Sequence, residues 1–315
     1  MEQWRGMAYL IGAFTLAGSS VIAASFIPAT LGIFRITAMS LFLAILCLLP
    51  LSWRFVMGAI RQLTVRDWGL LTLQALFGIV LFRMFFLYGL PLTSAAEAGI
   101  LTGATPAVTV MLAVALLKER ITRSAFMGIA STIGGILLVQ GLLTPGAGDA
   151  FSLNHAAGNI LVLCAAVSES LFNVISRSSA VQNAVGHRKP LHPLAQTTLV
   201  TFIAWLLCLV PSYFEQPLSA LFLIGWREWL ALFWYGPIVT ALAFLFWYAG
   251  IKRCHASTAA ALSGMMPFTA LLLSVVVLGE TAGRQQWTGG GLIVLGMALI
   301  GVSQGQVRNV REGIN

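Results

Sequence analysis

The sequence predicts an all-α membrane protein of ten transmembrane helices, arranged as two inverted five-helix repeats with the N- and C-termini cytoplasmic. Composition is the first reason. Of 315 residues, 58% are hydrophobic and 9% charged, a balance outside that of ordinary soluble domains. The second reason is spacing: ten largely apolar runs cover 7–27, 31–51, 68–89, 94–117, 124–143, 157–176, 194–213, 229–250, 256–278 and 286–304. Each is close to the ~20 residues with which a helix crosses the hydrocarbon core. None shows the ten-residue alternation of an outer-membrane barrel strand.

The third reason is an internal repeat. A displacement of 161 residues carries Arg66-Asp67-Trp68 onto Arg227-Glu228-Trp229, and Gly89, Leu101, Gly103, Pro106, Gly128 and Gly135 onto Gly250, Leu262, Gly264, Pro267, Gly289 and Gly296. Upstream it carries Thr37, Cys47 and Pro50 onto Thr198, Cys208 and Pro211 without a gap. Each copy holds five runs, an odd number, so the second must lie upside down relative to the first. In transporters an inverted repeat of this kind places the substrate site near the bilayer midplane, between the halves. The copies span residues 1–145 and 146–306, and 307–315 form a short cytoplasmic tail.

Charge sets the orientation. The net charge is +8, which in a soluble protein would suggest nucleic acid. Here the basic residues alternate with the spans instead: with the N-terminus inside, fourteen of the 18 lie in cytoplasmic segments, Arg227 and Arg284 alone lie outside, and Arg35 and Arg83 fall within runs. This is the positive-inside distribution, and the anionic leaflet of a bacterial inner membrane, not nucleic acid, is the partner it implies. Cys47, Cys164 and Cys208 sit in apolar runs and Cys254 in an inner loop, with neither a disulfide framework nor zinc-ligand spacing. No metal or other cofactor is called for.

Along the chain, the first run carries Gly12, Thr15 and Ser19 at helical spacing, a small-residue face for close packing. The small residues after it would suit a signal peptide, but the nine runs that follow require an uncleaved first helix. The second run opens near Arg35. In the third, Arg83 lies some six residues from the outer end, and in the fourth Glu97 begins at a similar depth, so the short turn between them predicts an Arg83–Glu97 pair that serves as a gate or binds the carboxylate and ammonium of a substrate. Pro106 then interrupts the fourth run and its repeat mate Pro267 the ninth; each removes a backbone hydrogen bond and kinks its helix, making a hinge. Residues 142–156 form an outer loop rich in Gly and Pro, the boundary between the halves.

The sixth run holds the most conspicuous acid. Glu169 lies about twelve residues in, near the midplane, with Asn173 one turn on and on the same face. Hydrocarbon penalises its charge, which suits a group that takes up and releases a proton in each cycle. The inner loop that follows holds His187 and His192, five apart among prolines, which read as loop residues. The eighth run is aromatic, and Trp247 and Tyr248, with Ser263 and Met266 of the ninth, are candidates for the apolar wall of a central cavity.

Ten spans in two halves, Arg35 opening the second, prolines in the fourth and ninth, Glu119 and Leu278-Gly279-Glu280 closing those two, and glycine-rich runs after them resemble the drug/metabolite transporter superfamily, and within it the family of paired EamA domains. The resemblance extends from about Ala8 to Gln304. It departs where that family commonly has a tryptophan in the first helix of each half; here Ala17 and Glu169 stand there. The resemblance implies a secondary transporter exporting small metabolites, amino acids or related amphipathic compounds, by alternating access, and it places helices 1, 3, 4, 6, 8 and 9 around the cavity. Glu119 and Glu280 occupy helix ends at opposite membrane faces, where each is expected to cap the next helix. Walker, zinc-protease and nucleophile-elbow sequences are absent, so the chain reads as a non-enzyme whose partners are a small-molecule substrate, protons and membrane lipids. An uncoupled facilitator and a non-transporting membrane partner subunit are the alternatives, and monomer and homodimer stay equally open.

Overall fold

A computed structural model of the chain describes residues 2–27, 31–117, 121–139, 153–185, 191–215, 225–251, 253 and 262–312. Glu119, His187 and Cys254 lie outside the described residues. All the regular structure described is helical. The first run becomes α1 (Glu2–Gly18) and α2 (Ser20–Ser25), and the second α3 (Ile33–Ile60). The third is α4 (Val65–Ala75), a π-helical stretch Leu76–Leu81, and α5 (Phe82–Gly89). The fourth is broken into α6 (Ala95–Thr102) and α7 (Thr105–Leu117), and α8 (Arg123–Val139) follows. The second half contains α9 (Leu153–Val185), α10 (Pro193–Glu215), α11 (Trp226–Phe233), a π-helical stretch Trp234–Leu242, α12 (Ala243–Ile251), α13 (Met265–Leu278) and α14 (Arg284–Glu312).

Among the described residues, eight helical segments are long and apolar enough to cross a membrane, while α8 and α13 are shorter apolar helices. Large apolar side chains such as Leu46, Trp53, Val210 and Phe214 are exposed on the outside of the bundle, as a lipid-facing surface requires. The chain is a multi-pass membrane protein.

Element boundaries keep the spacing of the repeat. Helices α5 and α12 begin at Phe82 and Ala243, and α8 and α14 begin at Arg123 and Arg284, each pair 161 residues apart. The repeated acid of Arg66-Asp67-Trp68 has a local cause: Asp67 Oδ2 accepts from the Thr64 N–H (2.8 Å) while Asp67 N–H donates to Thr64 Oγ1, a capping box that starts α4.

Helix pairing is reciprocal. Helix α8 lies against α14, α3 against α10, α1 against α12 and α5 against α9. In the first of these pairs, a Cβ on Gly128 would lie 2.7 Å from the Gly296 carbonyl oxygen and one on Gly296 would lie 2.6 Å from that of Gly128; Gly135 and Gly289 repeat the arrangement. Contacts between 128 and 296 and between 135 and 289 make these helices antiparallel, with backbones closer than any side chain allows.

Two acids fasten helix starts across the molecule. Gly279, at φ 70°, ends α13 and lets the Glu280 N–H bond back to Ser274 O. The Glu280 carboxylate then accepts from the backbone N–H groups of Ala95 (2.8 Å) and Ala96 (2.9 Å). Glu215 accepts in the same way from Phe34 and Arg35, at 2.9 Å each, and Arg35 donates from Nη2 to Ser212 O. Both carboxylates sit at helix N-termini, where the backbone dipole favours them.

Candidate functional site

The expected proline kinks take another form. Helix 4 is broken at Gly103–Ala104, and in the ninth run Ser263 and Gly264 form a turn that leads directly into α13, so Pro106 is the second residue of α7 and Pro267 the third of α13. In a first turn no intrahelical N–H bond is due, and proline fits there without kinking the helix. The prolines therefore start new helices. Ser263 is half-buried in its turn, where its carbonyl accepts from the Met266 N–H (3.0 Å).

At the break in helix 4 stands Glu169. Its Oε2 accepts from Thr105 Oγ1 at 2.9 Å, and the same hydroxyl lies 2.9 Å from Thr102 O. Thr102 O is the carbonyl that the N–H of residue 106 would have bonded in an unbroken helix, and proline has none. One hydroxyl proton thus faces two acceptors. Next to it, Ser170 Oγ reaches Thr105 O at 3.0 Å, locking α9 to the start of α7. Asn173 is half-buried one turn on. Farther along the same two helices, Thr109 Oγ1 and Ser176 Oγ are buried with no hydrogen-bond partner among the described residues. Glu169, Asn173 and Ser176 follow helical spacing, as do Thr105 and Thr109, and they make one polar seam between α7 and α9. Sequence reading singled out the two residues of α9 nearest the midplane and missed the three hydroxyls, because Thr and Ser in apolar runs are common packing residues.

Arg83 and Glu97 do not pair. Both are 7% exposed, but they point to different neighbours. Arg83 donates from Nη1 to Ser40 Oγ (2.6 Å) and from Nη2 to Thr240 Oγ1 (2.9 Å), with its guanidinium 4.4 Å from the centre of the Tyr235 ring. The π-helical stretches bring these groups together: one ends two residues before Arg83 and the other contains Tyr235 and Thr240. Glu97 instead accepts from Asn159 Nδ2 (2.8 Å) and Gln286 Nε2 (2.8 Å) and lies 2.7 Å from His155 Nε2. It ties the starts of α6, α9 and α14 together. Similar depth on consecutive helices proved insufficient because rotation about each helix axis aims the two side chains apart.

The aromatic candidates are dispersed. Trp247 is half-buried and meets Phe244 edge to face; Met266 is half-buried near the start of α13; the Tyr248 side chain lies outside the description. A cavity of about 450 Å³ opens between α2, α11 and α13, lined by Ile22, Phe26, Leu230, Trp234 and Leu273 among others. None of Glu169, Arg83, Trp247, Ser263 and Met266 lines it. Its wall is joined by the Trp234 Nε1 to Ser19 Oγ hydrogen bond (2.8 Å). His192, expected as a loop residue, stacks on Phe55 with ring centroids 3.8 Å apart.

Residues 4–141 and 156–302 match the EamA-like transporter family. The uncharacterized transporter YetK of Bacillus subtilis is 28% identical over 280 residues, 89% of this chain and 81% of that protein. The uncharacterized transporter sll1164 of Synechocystis is 24% identical over 76% of this chain and 67% of its own length. A solved structure, titled only as the crystal structure of a protein, superposes with a TM-score of 0.63 over 93% of this chain and 95% of that one at 21% identity, a likeness of fold.

Proposed function

Because the chain belongs to the EamA-like transporter family, we propose that it is a proton-coupled secondary transporter of the bacterial inner membrane, exporting small metabolites such as amino acids or related amphipathic compounds by alternating access. Its ten spans form two inverted repeats with both termini in the cytoplasm. The unbroken displacement of 161 residues and the reciprocal antiparallel glycine contacts of α8 and α14 support that arrangement, as the basic inner loops support the orientation.

The observation that carries the mechanism is the Thr105 hydroxyl, 2.9 Å from both the Glu169 carboxylate and the carbonyl freed at the helix break. With Glu169 ionised, the hydroxyl proton serves the carboxylate. With Glu169 protonated, its own O–H donates to Thr105 Oγ1 and the hydroxyl turns to Thr102 O. The protonation state of the acid thereby selects which acceptor in the break is satisfied, and the break is where helix 4 bends between inward- and outward-open states. Pro106 and Pro267, at the starts of α7 and α13, act as hinges. The test is purified protein in vesicles with a trapped pH dye, to which amino acids, their derivatives and organic cations are added in turn. Substrate-dependent proton movement that disappears in Glu169→Gln is expected; coupled movement at full rate in that variant refutes the proposal. Flux without proton movement would indicate a facilitator, and no flux at all a non-transporting partner.

A further inference from the structure

Arg83 is a buried cation without a counter-charge among the described residues. Its two hydrogen-bond partners are hydroxyls that spend their own protons on carbonyls, Ser40 on Thr37 O (2.9 Å) and Thr240 on Tyr235 O (3.1 Å), so both accept from the guanidinium and neither neutralises it. The Tyr235 ring covers one face. Three of its five N–H groups have no partner among the described residues. Arg35, the other buried arginine among the described residues, is 5% exposed and has an acid beside it, Glu215, which accepts from its backbone N–H. Each buried or half-buried acid near the core is engaged elsewhere: Glu97 with His155, Asn159 and Gln286, Glu169 with Thr105.

A charge left uncompensated within a membrane span is costly, and where it persists it marks a ligand or ion path. The duplicated architecture does not demand this one. The repeat mates of Arg83, Ser40 and Thr240 are Phe244, Thr201 and Ile79, so the cluster exists in one half only. Two π-helical stretches converge on it, a feature frequent at functional sites. A planar fork with free N–H groups, held from behind by two hydroxyls and a ring, matches a carboxylate bidentately. We propose that Arg83 is the anion-binding residue of the transporter and that its substrates carry a carboxylate. This rests on the transport reading above, and deepens it by naming the group the substrate must present.

The test uses the purified full chain in lipid nanodiscs and three probes of one shape, phenylacetate, phenylacetamide and phenylethylamine, with binding read by calorimetry and thermal shift. Phenylacetate alone is expected to bind, and Arg83→Gln to weaken it by roughly ten- to a hundredfold, with Arg83→Lys in between. Should Arg83→Gln fail to fold, Thr240→Val, which leaves the charge but loosens its aim, is expected to weaken phenylacetate severalfold and leave the other two unchanged. Equal binding of acid and amide, retained acid binding in Arg83→Gln, or no binding of phenylacetate to the native chain overturns the proposal. Vesicle assays separate the two readings: Arg83-dependent binding with no flux would sink transport and keep the site, whereas amine flux at the native rate through Arg83→Gln would do the reverse.

Discussion

Replacing Thr105 with valine tests the link between the acid and the helix break. Valine keeps the shape of a residue that is 7% exposed, so no cavity is created and the change removes a hydroxyl alone. Two contacts at 2.9 Å are lost, to Glu169 Oε2 and to Thr102 O. Side-chain hydrogen bonds between membrane helices average about 0.6 kcal/mol and reach about 1.7 kcal/mol, and an ionised acceptor belongs at the upper end. The expected cost is therefore about 1.5 kcal/mol with Glu169 ionised, for one charge-assisted bond, and about 1.2 kcal/mol with it protonated, for two neutral ones. Equilibrium unfolding in mixed micelles, followed by tryptophan fluorescence at acidic and alkaline pH, gives both values. A double-mutant cycle with Glu169→Gln then isolates the pair, with a coupling of about 1 kcal/mol expected at alkaline pH. Costs that add to within about 0.3 kcal/mol at alkaline pH would show that the hydroxyl and the acid do not communicate.

The α8–α14 contact gives a second expectation. Gly128→Ala and Gly296→Ala each put a methyl within 2.7 Å of a facing carbonyl oxygen and should each cost about 1–3 kcal/mol by forcing the helices apart. Gly134→Ala and Gly291→Ala, where a Cβ meets nothing within 4 Å, should be neutral or slightly stabilising in the same melts; equal losses at all four positions would refute the close-approach account. Glu280→Ala leaves the Ala95 and Ala96 N–H groups without their acceptor and should cost about 1–3 kcal/mol, measured by unfolding, with hydrogen exchange rising first at the start of α6. Unchanged exchange there would mean that water or another group caps that helix.

What could be read from the chain alone is what counting along each apolar run gives. The length of each apolar run, the distance of Glu169 from the ends of its run, and the 161-residue spacing of the two copies follow from counting, since a helix advances by a constant rise per residue and hydrocarbon admits few polar groups. Element ends such as Phe82 and Ala243 keep that spacing. The Leu278-Gly279-Glu280 motif was equally legible as a helix end, because a left-handed residue favours glycine. Its target was not: Glu280 caps Ala95, 185 residues away in sequence. The same holds for Arg83 and Glu97, whose expected depths match but whose partners are Ser40 and Thr240 for one, His155, Asn159 and Gln286 for the other. Position along a helix is a property of that helix alone, so sequence determines it. Which side chains meet is set by the rotation and pairing of helices far apart in the chain, through glycine contacts, π-helical stretches and breaks, and only the packed bundle decides that.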